Sequence, residues 1–152
     1  MKSFDIYAYK ELELYGSTMP ETKGDLLQIK QLGIDIIISL DEGIREHPNY
    51  KELKTDFEHY ELIITDYDIP KNEHIKQFLD IVSKAIKEKK KVLVHCWAGC
   101  GRTGLMLALA ERFIYGTREG EKAIKMVRKI RPCAIETQNQ YNLILEYERP
   151  VG

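Results

Sequence analysis

The segment Val92-Leu93-Val94-His95-Cys96-Trp97-Ala98-Gly99-Cys100-Gly101-Arg102-Thr103-Gly104 gathers the groups in this chain best able to do chemistry. An apolar strand pattern enters a glycine-punctuated loop, and the loop enters a helix. Such a loop aims several backbone N–H groups into one concavity and adds the positive end of a helix dipole. Gly99 and Gly101 lift the Cβ penalty on the tight, partly left-handed turns that a nest of this kind needs. Arg102 offers a planar fork able to hold two oxygens of one phosphate. A cysteine facing that positive cradle is expected to be a thiolate at neutral pH, which makes Cys96 a nucleophile. A thiolate beneath an oxyanion cradle is equipment for phosphoryl transfer through a cysteinyl-phosphate. The plain alternative is a strand–helix corner holding a buried cysteine. Any one residue fits that alternative, but His-Cys-x-x-Gly-x-x-Arg-Thr-Gly as a set has a chance frequency of roughly one in 10⁸ per start position.

Cys-x5-Arg followed by Thr, carried here by Cys96, Arg102 and Thr103, resembles the active-site signature of the cysteine-dependent protein tyrosine phosphatase superfamily. Chain length and the late position of the cysteine resemble its small dual-specificity branch, which includes compact archaeal tyrosine phosphatases and kinase-associated-phosphatase-like proteins. The likeness is sharp over residues 95–104, fair over 66–70 and 131–140, and weak elsewhere. It implies hydrolysis of phosphotyrosine, and often of phosphoserine or phosphothreonine, in two steps with no metal or cofactor. The phosphate loop would comprise Trp97, Ala98, Gly99, Cys100, Gly101 and Arg102, a seat for phosphate, sulfate or vanadate as well as substrate.

The same resemblance implies further roles. A leaving alkoxide or phenolate departs better protonated, and relatives supply an Asp from a mobile loop upstream of the cysteine. Thr65-Asp66-Tyr67-Asp68-Ile69-Pro70 offers two, and the family spacing Asp-x-x-x-Pro selects Asp66 over Asp68. Thr103 matches a hydroxyl that donates to the thiolate and helps it leave. His95 matches a histidine that orients the loop and tunes the cysteine. Gln140 matches a glutamine that positions water, though it is equally the natural capping-box partner of Thr137. Glu136 stands where larger relatives carry a second glutamine. Trp97 and Ala98 occupy loop positions where phosphoinositide-directed relatives tend to carry lysines, which favours a protein phosphate. Cys100 is close enough in sequence to trap an oxidised Cys96, yet the taut loop argues for a small apolar loop residue instead. Cys133 reads as a packed core thiol.

These residues need elements to hold them. Residues 4–9 and 11–15 read as short paired strands closed by Gly16 and Ser17. Residues 22–32 form a helix pattern with Thr22 as cap and Gly33 as stop. Residues 34–40 are a β-branched buried strand, residues 43–56 are irregular with room for a helical turn, and residues 60–65 are another strand. Asn72 is the expected cap of an amphipathic helix carrying Ile75, Phe78, Leu79, Val82 and Ile86 on one face. Residues 92–95 are a strand and 105–115 an apolar helix. Thr117 is the expected cap of a helix ending at Ile130, and Thr137 with Gln140 opens a last helix reaching about Glu148. The alternation predicts an α/β sandwich in one domain, which the resemblance implies is a phosphatase domain over residues 1–152. Its central sheet is mixed, largely parallel and of about five strands, with helices on its faces and the phosphate-binding loop between a strand and a helix.

Composition bounds the setting. The chain has 152 residues, with 23 Lys plus Arg against 24 Asp plus Glu and a formal net charge of −1. That balance argues against nucleic acid as a partner. The longest apolar run, residues 105–110, is far short of the roughly 20 residues of a membrane span. The N-terminus shows no apolar signal region, and three cysteines make no disulfide framework. A cytoplasmic monomer acting on a phosphorylated protein or peptide is the expectation. His47, His59 and His74 show no spacing suited to a metal. Two competing readings stay open: the same chemistry on an RNA 5′-phosphate or small phosphate ester, and a phosphate-binding module without turnover.

Overall fold

Val92, Leu93 and Val94 are completely buried because their strand lies at the centre of a sheet covered on both faces. The computed structural model describes residues 3–149; residues 1, 2 and 150–152, which the expected domain span includes, lie outside the described residues. In chain order the elements are β1 (Ile6–Lys10), β2 (Leu14–Ser17), α1 (Lys23–Gln31), β3 (Ile34–Ser39), a 3-10 helix (Glu42–Glu46), α2 (Tyr50–Asp56) and β4 (Glu58–Glu61). Then follow α3 (Asn72–Lys87), β5 (Lys91–His95), α4 (Gly101–Phe113), α5 (Gly120–Ile130) and α6 (Gln138–Glu146).

The sheet runs β1-β2-β5-β3-β4. β1 pairs antiparallel with β2, and every other pairing is parallel. This is the mixed, largely parallel five-stranded α/β architecture that the sequence pattern predicts. Side-chain alternation along the strands separates two cores. Ile36, Ile38, Val92 and Val94 join Phe78, Leu79, Leu105, Leu109, Ile124 and Ile144 beneath α3–α6. Ile37 and Leu93 face the other way, onto Leu26, Ile29, Leu53 and Phe57 of α1, α2 and the turn after them. Residues 105–110 are fully buried all round, because α4 lies between the sheet and its neighbouring helices.

Several boundaries differ from the sequence pattern. Gly16 and Ser17 lie inside β2, and the turn falls earlier, with Leu12 in a left-handed conformation at φ 70. Gly16 serves packing: a Cβ there would meet the Tyr7 ring at 2.5 Å. α4 begins at Gly101, four residues before the apolar run, since the loop passes directly into helix. Asn72 is the first helical residue of α3, after Lys71, and makes no side-chain cap. Thr117 caps nothing either; its Oγ1 donates to the buried Glu111 carboxylate at 2.7 Å, and α5 starts at Gly120. By contrast Thr22 and Thr137 both close complete capping boxes, with Asp25 and Gln140. The segment expected to be irregular holds the 3-10 helix and α2.

Candidate active site

β5 delivers His95 to the C-terminal edge of the parallel strands, where open α/β sheets hold their ligands. Register places Ser17 of β2 and Ser39 of β3 on either side of His95. Cys96 follows, only 2% exposed, and Thr103 Oγ1 donates to its Sγ at 3.0 Å.

The loop is shaped from outside. The carbonyl of Cys96 lies 3.0 Å from His95 Nδ1, and that of Trp97 accepts from the Met19 amide at 2.9 Å. Arg131 Nη2 donates to the Ala98 carbonyl at 2.8 Å, while Tyr7 Oη and Arg131 Nε donate to that of Gly99 at 2.8 and 3.3 Å. The Cys100 carbonyl accepts from the amides of Gly104 and Ile135. Across a planar trans peptide the N–H points opposite the C=O. Holding five successive carbonyls outward therefore turns the amides of residues 97–101 toward the opposite side of the loop. Gly99 has φ +69, and a Cβ on it would sit 2.7 Å from the Ser17 carbonyl oxygen, so only glycine fits. Gly101 is not left-handed; as the first residue of α4 its missing Cβ leaves room for Glu136, whose Oε1 accepts the Gly101 amide at 3.0 Å.

Arg102 is 3% exposed and spread over three partners. Nη1 donates to the Ile64 carbonyl at 3.0 Å, while Nη2 lies 2.9 Å from Asp41 Oδ2 and 3.1 Å from Asp66 Oδ1. A cleft of about 280 Å³ beside it is lined by Asp41, Glu42, Ile64, Thr65 and Asp66. Asp68 points elsewhere: its Oδ1 caps the Ile69 amide at 2.8 Å. Between them Tyr67 holds a left-handed backbone at φ 63 and is 61% exposed. Gln140 is fully buried, its Oε1 accepting the amides of Glu136 and Thr137, and its Nε2 donating to the Asp68 carbonyl at 3.3 Å. Tyr7 is held well above the ordinary tyrosine range, chiefly by burial, so its hydroxyl stays a donor to Gly99.

The structure thus brings Cys96, Arg102, Thr103, His95, Asp66 and Gln140 to one edge of the sheet. Sequence reasoning missed Asp41, Tyr7 and Arg131, whose residue types carry no signal until the fold sets them against the loop. The cysteines are corrected. Cys100 and Cys133 form a disulfide with a Cα–Cα distance of 5.3 Å, leaving Cys96 as the free thiol. Cys133 is not a core residue: it lies exposed in the turn after α5, and that turn folds back on the loop through Arg131. Two of the three cysteines pair across 33 residues, a closeness the linear spacing does not show. Cys100, committed to Cys133, is not positioned as a partner for Cys96. Among the described residues no group of three His, Cys, Asp or Glu could hold a metal ion. No helix there is long and apolar enough to cross a membrane.

Residues 10–144 match the family model of the Swiss Army Knife DSP-PTPase phosphatase domain. The chain belongs to that phosphatase family. The "Tyrosine-protein phosphatase CDC14" of Saccharomyces cerevisiae is 28% identical over 112 residues, 74% of this chain but 20% of that protein. This phosphatase-family chain therefore spans about a fifth of that relative's length. The crystal structure of Tk-PTP in the active form superposes with a TM-score of 0.83 at 27% identity, covering 96% of this chain and 97% of that one. Kinase-associated phosphatase with its catalytic cysteine replaced by serine gives 0.81 over 95% and 92%, and at 22% identity it speaks for the fold alone.

Proposed function

We propose that the protein, as one phosphatase domain, hydrolyses phosphotyrosine, with phosphoserine and phosphothreonine as further substrates, through a cysteinyl-phosphate on Cys96. The observation that carries this reading is the Cys96 thiol set under the Thr103 hydroxyl at 3.0 Å, inside a loop whose carbonyls are all held outward. Cys96 attacks phosphorus while Arg102 and the amides of Trp97, Ala98, Gly99 and Cys100 hold the equatorial oxygens; the Gly101 amide joins them only when it exchanges the Glu136 carboxylate for a phosphate oxygen. Asp66 protonates the leaving oxygen. The pairing of Asp66, but not Asp68, with Arg102 supports that choice. A bound phosphate competes with Asp66 for the Arg102 fork, which frees the Asp66 carboxyl to face the leaving oxygen. Asp66 then activates water, and Thr103 stabilises the departing thiolate. Gln140 holds the acid-bearing loop through the Asp68 carbonyl. The exposed Tyr67, Ile69 and Trp97, neighbours in sequence of Asp66, Asp68 and Cys96, give apolar surface suited to an aromatic phosphate ester on a protein.

Hydrolysis of p-nitrophenyl phosphate, with EDTA throughout, tests the reading. Cys96→Ser is expected to abolish turnover, Asp66→Asn to lower kcat by about 10²–10³-fold, and Asp68→Asn to stay near wild type. A wild type that binds vanadate yet shows no turnover from pH 5 to 8 overturns it in favour of a phosphate-binding module.

A further inference from the structure

His59, Ser39 and His95 sit on one face of the sheet, on three adjacent strands. Ser39 Oγ lies 2.8 Å from His59 Nε2 and 2.6 Å from His95 Nε2, and His95 Nδ1 lies 3.0 Å from the Cys96 carbonyl oxygen. Ser39 and His95 are completely buried. The Cys96 carbonyl can only accept, so His95 Nδ1 carries hydrogen, and when the ring is neutral its Nε2 is bare. Ser39 must donate to that nitrogen, which leaves its lone pairs to accept from His59 Nε2–H. Every bond in the chain then has one direction, running from the edge strand to the peptide of the nucleophile.

We propose that His59, acting through Ser39, is a positioning residue that fixes the His95 tautomer and thereby favours the thiolate of Cys96. The proposal rests on Cys96 being the nucleophile of the reading above. Successive donations in a water-poor interior strengthen one another. Their combined pull on the Cys96 carbonyl lays the positive end of the relay against the residue that must hold a negative charge. The groups around His59 are Glu61 on β4, itself paired with Arg45, together with Tyr50 and Lys54 of α2. Burial holds His59 below the ordinary histidine range, Glu61 opposes that and Lys54 adds to it. At neutral pH an uncharged ring is therefore the donor.

The test is the rate of Cys96 alkylation by iodoacetamide against pH, without reductant, for wild type, His59→Leu and His59→Gln, with Cys96→Ser as the blank. His59→Leu removes the donor, and its alkylation midpoint is expected to rise by roughly half a pH unit, about a threefold loss of thiolate below the midpoint. His59→Gln keeps an N–H at the same reach and is expected to restore the wild-type midpoint. If His59→Leu does not fold, His59→Asn, whose amide is too short to reach Ser39, takes its place in the comparison. Equal midpoints for all folded variants, with only thermal stability changed, overturn the proposal. A shifted midpoint in a protein that does not turn over p-nitrophenyl phosphate upholds the relay and sinks the phosphatase reading instead.

Discussion

Arg131 commits its guanidinium to the carbonyls of Ala98 and Gly99, stacks over the Tyr7 ring with its carbon 4.9 Å from the centroid, and pairs with Asp5. One side chain from the turn after α5 therefore joins the loop after Cys96 to β1 and to the segment before it. Removing it takes the guanidinium donor from the Ala98 carbonyl and leaves the Gly99 carbonyl to Tyr7 alone, loosening the outward hold that turns the loop amides inward. Arg131→Ala is expected to lower kcat/KM for p-nitrophenyl phosphate by about 10–100-fold, in the range seen when a group supporting a reactive residue is lost. Arg131→Lys should recover little, since a single ammonium cannot serve two carbonyls through a rigid fork. Wild-type kinetics for Arg131→Ala would show that Tyr7, the Met19 amide and the backbone suffice. At this scale Cys96, Arg102 and Thr103 are legible in the sequence because their spacing is local. Arg131, Tyr7 and Asp41 are not, because each meets the loop across a long stretch of chain: Arg131 to Gly99 spans 32 positions, Asp41 to Arg102 spans 61 and Tyr7 to Gly99 spans 92, while His59 reaches the loop only through Ser39 and His95.

Among elements, α4 depends on what fixes its first turn. Its N-cap position is Cys100, which makes no side-chain cap hydrogen bond and is instead tied to Cys133 beyond the end of α5. The crosslink closes a 33-residue loop around α4 and α5. Cys133→Ser is expected to lower unfolding stability by about 2–4 kcal/mol, read as a lower denaturant midpoint, through the entropy returned to the unfolded chain. A midpoint unchanged under non-reducing conditions would remove that contribution. Helix starts show where local signals suffice. Thr22 and Thr137 have their capping partners three residues on and behave as the pattern predicts. Thr117 has a helix ahead of it too, but the buried Glu111 carboxylate captures its hydroxyl, and a tertiary demand overrides the local one.

For the molecule as a whole, three tyrosines tie its layers together and resist ionisation. Tyr9 donates to the buried Glu111 at 2.5 Å, Tyr115 to Glu13 at 2.9 Å and Tyr7 to Gly99. All three are held above the ordinary tyrosine range, chiefly by burial. Their folded values exceed the unfolded ones, so above about pH 10 the folded chain binds more protons than the unfolded chain. The stability they contribute is complete below that pH and is lost as pH rises. The melting temperature is expected to fall more steeply above about pH 10 than between pH 7 and 9, and Tyr7→Phe should make that fall shallower. Parallel curves for the two proteins would show that Tyr7 takes no part.

The Cys96–Arg102 loop motif, the order of strands and helices and the largely parallel sheet are legible in the chain alone, because each is written in spacings of a few residues: Cys96 to Arg102, Ile34 to Ser39, Thr137 to Gln140. Strand register and helix packing are long-range outcomes, and only the tertiary structure decided them. They set Ser39 between His59 and His95, Asp66 rather than Asp68 against Arg102, and Cys133 against Cys100. None of these pairings carries a local signal, since a side chain's partner across a sheet or between two loops is chosen by the burial of everything else.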